Sequence, residues 1–391
     1  MLLASGPSVP YWRLSCFYFF YFALLGAWLP FWPLYLQDLG YQAEAIGYLA
    51  GVMMATKIIA PNIWGWLADR SNKRMAIVRF GALFSLVIFL GIFLNQGFWW
   101  LVLIVAGYSF FWNAILAQFE VVTLSHLPGR YDRYSQIRVW GSIGFVIAVV
   151  LLGLVFDWFS VSYLPWVLGV LLLGIWLSSL SVNERPIERH PGVEKPSLAR
   201  VLKQPTVIAF FVSCFLLQIS HGPYYTFFSV FLDDHGYETT SIGLLWSLGV
   251  MAEVIVFVVM HRLLQRFSLR HIMFASFFLS SLRWFLIAYL ADELAVLLFA
   301  QILHAASFGT AHAFAVELVR KYFAGGLEGQ GMALYSGLSF GAGGAVGAVL
   351  SGWVWEAHPA ATFVAAGLCC ALALVVSFWV QTEPSSASSQ A

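Results

Sequence analysis

Twelve apolar runs recur along this 391-residue chain, each of roughly the 20 residues that an α-helix needs to cross about 30 Å of hydrocarbon. Their approximate spans are 12 to 36, 44 to 67, 75 to 95, 98 to 125, 136 to 157, 160 to 181, 205 to 232, 240 to 262, 270 to 290, 293 to 321, 328 to 355 and 358 to 380. Barrel strands would alternate apolar and polar residues, whereas these runs are apolar throughout, which argues for helices. Charge content agrees. Only 10% of the residues are Asp, Glu, Lys or Arg, against about 25% in soluble domains. The expected fold class is an all-α integral membrane protein with twelve transmembrane helices.

Lys and Arg gather in short cytoplasmic loops of membrane proteins, and seventeen of the twenty here lie in or beside alternate loops. They are Arg13; Arg70, Lys73, Arg74 and Arg79; Arg130 and Arg133; Arg185, Arg189, Lys195, Arg200 and Lys203; Arg262, Arg266 and Arg270; Arg320 and Lys321. The opposite loops carry acids: Asp38, Glu44, Asp157, Asp233, Asp234, Glu238, Asp292, Glu293 and Glu356. Both termini are therefore expected in the cytoplasm, with the chain in a bacterial inner (plasma) membrane. The first run lacks a compact basic flank and a cleavage site, and reads as a helix rather than a cleavable signal. Cys16, Cys214, Cys369 and Cys370 have no metal-ligand spacing and read as apolar filler, so neither a disulfide nor a metal is expected. A net charge of +1 without a basic domain argues against nucleic acid.

An internal repeat divides the chain. Shifting it by 196 residues lays FWPLYLQDLGYQAEAIGYL onto FFSVFLDDHGYETTSIGLL. Nine positions agree: Gly26/Gly222, Phe31/Phe227, Leu36/Leu232, Asp38/Asp234, Gly40/Gly236, Tyr41/Tyr237, Ile46/Ile242, Gly47/Gly243 and Leu49/Leu245. The same shift pairs Arg70 with Arg266 and Arg74 with Arg270. Six helices separate the copies, so both face the same way across the membrane, as in transporters whose halves rock about a midplane site. The predicted organisation is a six-helix half over residues 1–181, a polar, proline-containing cytoplasmic linker over 182–204 and a second six-helix half over 205–391. In the eleventh run, GLSFGAGGAVGAVLSG supplies small residues that let neighbouring helices approach.

The loop GWLADRSNKR resembles the signature of the major facilitator superfamily through Gly65, Asp69, Arg70, Lys73 and Arg74. Asn72 stands where that superfamily usually has glycine, and tolerates positive φ less freely. The resemblance implies two halves related by a pseudo-two-fold along the membrane normal. It also implies a gating role for Asp69, with the basic cluster contacting lipid headgroups. The second copy, HRLLQRFSLR, has lost the aspartate, so gating is expected to be asymmetric.

An ionisable side chain in mid-membrane costs at least ~2.5–3.5 kcal/mol on insertion scales and is a functional candidate by default. Lys57 and Glu253 lie deep in the second and eighth runs and occupy the same position under the 196-residue shift. One half thus presents a cation where the other presents an anion, which predicts a cavity between them. Arg283 lies deep in the ninth run; the alternative to a cavity role is a structural ion pair of Glu253 with Arg283. Glu120 and Arg138 flank one hairpin, eighteen residues apart, and Gly222 with Pro223 can loosen helix 7 so that His221, Tyr224 and Tyr225 reach the cavity. Glu317 and Arg320 read as a surface pair.

The spacing of Glu120 and Arg138 and their setting in IRVWGSIGF resemble the sugar-binding pair of lactose permease. More closely, SQIRVWGSIGF, HGPYYTFFSVF, GLLWSLGVMAEVIVF and QILHAASFGTAH resemble segments of the phenylpropionate permease family, in the lactose-permease-like branch. That resemblance implies proton symport, with substrate and proton sharing one cavity. Arg283 and His304 match lactose permease's helix 9 arginine and helix 10 histidine. Gln301 and Ser307 replace its lysine and its proton-carrying glutamate, so its coupling circuit does not transfer whole.

Coupling requires a carboxylate or imidazole tuned by burial and a neighbouring charge. Glu253 fits best, with His304 and His312, two turns apart, in reserve. Lys57, Arg138 and Arg283 outnumber Glu120 and Glu253, which leans toward a carboxylate substrate. The expected function is proton-coupled symport of a small organic solute such as an aromatic carboxylate, driven by the proton gradient without a cofactor. Its expected partners are the small-molecule substrate, protons and membrane lipids, with the chain acting as a monomer. A sugar or nucleoside symporter of the same fold is the alternative. A polytopic enzyme or sensor is weaker, since no Walker loop, zinc constellation or nucleophile triad is visible.

Overall fold

The fold was analysed on a computed structural model, which describes residues 9–127, 132–185 and 197–382. Among these residues twelve helices are long and apolar enough to cross a membrane, and no strand occurs. They are α1 (Tyr11–Asp38), α2 (Ala43–Ser71), α3 (Arg74–Phe93), α4 (Phe98–Ser125), α5 (Arg133–Phe156), α6 (Val161–Leu180), α7 (Pro205–Asp234), α8 (Thr239–Arg266), α9 (Leu269–Leu290), α10 (Leu294–Tyr322), α11 (Glu328–Trp355) and α12 (Pro359–Ser377). Each falls on an expected apolar run. Arg130 and the linker's centre, 186–196 with Arg189 and Lys195, lie outside the described residues.

The basic loops converge at one end of the bundle. Arg79 donates to the carbonyl oxygens of Ser179 and Val182, and the Arg74 amide to Glu184, so the start of α3 holds the chain leaving α6. Asp69 pairs with Arg74, which also donates to Gln118 of α4, while the Arg70 guanidinium lies 5.5 Å from the Trp66 ring centroid. The ion pair of Asp69 with Arg74 lies within one half of the molecule. Asn72 caps α2 with φ 54°, the left-handed conformation that the signature glycine would supply. A Cβ added at Gly65 would meet nothing within 4 Å.

The repeat has a structural reading. Gly40 and Gly236 both adopt positive φ, 83° and 79°, in matching turns closed by the amides of Tyr41 onto Leu36 and Tyr237 onto Leu232. The hydroxyl of Tyr41 then donates to Gln96, and that of Tyr237 to Ala291, anchoring equivalent loops. Gly47 and Gly243 let the two halves approach: a Cβ on Gly47 would sit 2.8 Å from the Ala348 oxygen, and one on Gly243 2.5 Å from the Val149 oxygen.

Helices α1–α6 pack chiefly among themselves, as do α7–α12, and the two groups meet along α2 with α11 and α5 with α8. Both seams are hydrogen-bonded at the acidic-loop end. There Trp353 donates to the Tyr48 hydroxyl at 3.0 Å across one seam. Across the other, Asp157 accepts from the Thr239 hydroxyl at 2.5 Å, from the Thr240 amide at 3.2 Å and from the Thr240 hydroxyl. Asp157 lies one residue past α5 and caps the first turn of α8 from the opposite half. Burial raises its carboxyl, but the hydrogen bonds from Thr239 and Thr240 outweigh this and hold it below its ordinary range.

Three helices are interrupted along their length. α7 breaks at His221, before Gly222 and Pro223. α10 contains a π-helical segment, Ala305–Thr310, and α11 another, Ser336–Gly343. Such segments add a residue to a turn and are frequent at functional sites.

Candidate functional site: a two-lobed cavity between the halves

Between the halves lie two adjoining cavities of about 380 and 300 Å³ that share Phe22, Leu25, Leu116 and Phe340 as walls. Toward the acidic-loop end a gap of about 20 Å³ lies among Trp28, Trp32, Ala50, Met53 and Tyr225, and a separate pocket of about 290 Å³ beyond it is lined by Tyr41, Ile46, Phe227 and Trp355. The side chains around the small gap pinch the cavity off on that side.

The larger lobe is lined by Arg138, Tyr225, Trp246, Glu253, His304, Phe308 and His312, among others. Each lining face follows helical spacing: Trp246, Val250, Glu253 and Phe257 form one stripe of α8, and Arg138, Ser142 and Phe145 one of α5. Trp246, Ser142 and Phe308 were not among the expected site residues, although reading three, four and seven positions along the helix from Glu253 finds Trp246. The smaller lobe is lined by Lys57, Pro61, Trp112, Asn113, Glu120 and Ser336. Lys57 and Glu253, matched by the repeat, therefore face the two lobes of one space.

Glu120 and Arg138 meet at 3.8 Å where the lobes join, as their hairpin spacing predicts, and the Arg138 guanidinium lies 4.0 Å from the Phe22 ring centroid. Lys57 is partly exposed in its lobe, and no ion pair or side-chain hydrogen bond is recorded for it among the described residues.

Glu253 is backed by a chain of polar groups. Its carboxylate lies 3.7 Å from His304 Nε2, while His304 Nδ1 faces Arg283 Nη1 at 3.1 Å. A guanidinium only donates, so Nδ1 accepts and a neutral ring carries its proton on Nε2, toward Glu253. Arg283, fully buried, also donates to the Ala300 carbonyl at 3.0 Å, Ser307 Oγ at 3.0 Å and Gln301 Oε1 at 3.4 Å. Its guanidinium stacks 4.2 Å from the Tyr224 ring centroid. The pairing of Glu253 with Arg283 thus runs through His304, with no direct bridge recorded between them. Gln301 and Ser307, which differ from lactose permease, satisfy Arg283 with neutral oxygens.

Three expected site residues stand behind the wall. Arg283, Tyr224 and His221 are fully buried and absent from both linings. The Tyr224 hydroxyl, expected to reach the cavity, donates instead to Gln301 at 3.0 Å. His221 Nδ1 donates to the Leu217 carbonyl at 2.8 Å, and the ring packs edge-on against Trp284. The α7 break brings only Tyr225 to the surface of the cavity, because consecutive residues on a helix cannot share one face. His312 reaches the cavity with its Nδ1 3.4 Å from the Tyr335 hydroxyl. Glu317 and Arg320 form an exposed pair at 3.8 Å.

A bundle of twelve membrane helices around a charged, aromatic-walled cavity closed on one side defines a multi-pass membrane transporter. The chain matches the MFS_1 like family over residues 11–365 and belongs to it. It is 27% identical over 348 residues to the "Probable 3-phenylpropionic acid transporter" of Escherichia coli (strain K12), covering 87% of this chain and 89% of that one. It is 24% identical over 346 residues to the maltose permease of Geobacillus stearothermophilus, covering 87% and 86%. Among solved structures, the nucleoside transporter NupG superposes with a TM-score of 0.77 at 18% identity, covering 94% of this chain and 96% of that one, which shows a shared fold. The chain is a secondary transporter of the major facilitator fold, acting on a small molecule.

Proposed function

We propose that this transporter is a proton-coupled symporter of a small amphipathic organic acid, such as an aromatic carboxylate of the 3-phenylpropionate kind. One observation carries the reading: a cavity with apolar and aromatic walls holds a cation, Lys57, that has no counter-ion among the described residues, together with a carboxylate, Glu253, backed by a hydrogen-bonded chain. Such a volume suits a small ligand, since binding pockets span ~300–1,000 Å³.

The charges link the two solutes. With Glu253 ionised, Lys57 and Arg138 balance Glu120 and Glu253, and Arg283 leaves one positive charge over. Protonating Glu253 raises that excess by one, so an anion binds more tightly to the protonated site. By linkage, the bound anion strengthens the hold on the proton in equal measure. A substrate without charge would lack this coupling.

In this reading the basic-loop end faces the cytoplasm of a bacterial inner membrane, and the acidic-loop closure shuts the cavity from outside. Alternating access then consists of opening the α2/α11 and α5/α8 seams at the acidic end while the basic end closes. The sugar or nucleoside alternative rests on Glu120 and Arg138, which offer an acceptor and a donor for hydroxyls.

Uptake of labelled 3-phenylpropionate, a sugar and a nucleoside into cells expressing the chain tests both, with and without a protonophore. Accumulation of the carboxylate alone, abolished by the protonophore, is expected. Accumulation that survives collapse of the proton gradient would remove the symport claim, and preferential uptake of a sugar or nucleoside would establish the alternative.

A further inference from the structure

The two lobes differ in what their charged groups already touch. In the larger lobe Arg138 is held by Glu120 at 3.8 Å, and Glu253 faces His304 at 3.7 Å. In the smaller lobe Glu120 is the one acid, and it is committed to Arg138; no ion pair within 4.0 Å joins it to Lys57. Lys57 is thus the one cation lining the cavity whose counter-charge is missing among the described residues. Two neutral polar side chains share its lobe. Asn113 spends one amide N–H on Thr56 Oγ1 at 2.8 Å and keeps a second, and Ser336 brings a hydroxyl from the first residue of the π-helical segment of α11. The larger lobe, beyond the shared wall of Phe22, Leu116 and Phe340, is bounded mainly by rings and aliphatic chains.

From this division, and resting on the proposed function, we infer that the smaller lobe is the carboxylate subsite, with Lys57 as its anchor. The substrate lies across the partition, its flat apolar body in the larger lobe. Its class is a monocarboxylate whose charge stands a short, flexible spacer away from an aromatic or similarly flat body. A ring bearing the carboxylate directly would have to leave one lobe unfilled. The site also joins the halves, since Lys57 comes from α2 and Ser336 from α11, so a bound carboxylate ties the two sides of the cavity together. The proton on Glu253 and the carboxylate on Lys57 then occupy separate lobes and are coupled through the field of the site, without contact.

The test is equilibrium binding of labelled 3-phenylpropionate to the purified full-length protein in detergent, competed by unlabelled 3-phenylpropionate, its amide and benzoate. For the unaltered protein the acid is expected to compete at least ten-fold better than the amide, and better than benzoate. Lys57→Met should weaken the acid by more than ten-fold, leave the amide within about two-fold and so erase the discrimination, while Lys57→Arg restores part of it. The amide's retained affinity reports a folded site. If Lys57→Met does not fold, Asn113→Asp decides: an acid placed beside Lys57 should cancel acid binding and spare the amide. Unchanged acid-to-amide ratios in the folded variants would overturn the Lys57 subsite while leaving symport standing. Absence of acid binding to the unaltered protein would overturn the carboxylate reading itself.

Discussion

Lys57 and Glu253 stand at equivalent places in the two halves, yet their surroundings are opposite. Lys57 projects into its lobe with no ion-pair partner among the described residues, whereas Glu253 is the exposed end of a buried chain through His304 to Arg283. A group left bare is suited to meet a ligand's charge. A group with an oriented imidazole and a guanidinium behind it is suited to hold and release a proton, because the hydrogen-bonded layer stays fixed while the charge changes. In the proposed function, two copies of one six-helix unit divide binding and coupling between them, by what packs behind each charge.

Four substitutions break or sharpen that contrast. The largest effect is expected from Glu253→Gln, which removes the titrating group while keeping its shape: concentrative uptake should be abolished at normal expression, measured as accumulation against a gradient. Full accumulation by this variant would return Glu253 to a structural role. Next, Arg283→Met strips the chain of its buried end and leaves Ser307, Gln301 and His304 without their donor. Each buried acceptor left without its donor costs about 1–3 kcal/mol, to be read as a drop in thermal stability in detergent.

Gly309→Ala acts more gently, since its Cβ would lie 3.2 Å from Glu253 Cγ and press the carboxylate off His304. Mild overpacking costs about 1–3 kcal/mol, so coupled uptake should fall roughly ten-fold while binding of the substrate's amide changes little. The smallest effect belongs to Asp157→Ala, which removes the cap that one half places on the other. A lost cap costs about 1 kcal/mol, so alkylation of a cysteine placed at Ala50, in the closed gap, should speed up roughly five-fold from the acidic-loop side. Because the folded Asp157 carboxyl is held below its ordinary range, the latch is fully present above that range and lost only as pH falls through the depressed value. The ratio of this rate in the Asp157→Ala variant to that in the unaltered latch at the same pH, in which thiolate ionisation cancels, should therefore stay constant from neutral pH to the ordinary carboxylate range and fall toward one as pH drops from there through the depressed value. A ratio that falls already near neutrality would place the acidic-end closure elsewhere.

Much of this was legible in the chain. The bilayer allows a spanning segment to satisfy its backbone internally only as a helix or a closed barrel, so twelve apolar runs became twelve helices. Glu120 and Arg138 could be paired because a hairpin leaves two flanking positions little choice of neighbour. The repeat marked Gly40 and Gly236, whose positive φ follows from matching turns, and it singled out Lys57 and Glu253 because unlike charges on like positions require a shared space.

What stayed hidden was which side of the cavity wall each residue would take. Tyr224 and Tyr225 are neighbours in sequence, and nothing local says that one lines the cavity while the other turns to Gln301. Nor does spacing say that Arg283 is screened by His304, or that Gln301 and Ser307 are its acceptors. Those outcomes depend on the rotation of each helix about its axis and on the π-helical segments of α10 and α11, which shift the register of everything beyond them. Helix rotation is set by packing against distant parts of the chain. The sequence by itself determined the number of helices, their pairing into two copies and the charges buried among them; only the tertiary structure decided that Lys57 meets the cavity bare and Glu253 meets it supported.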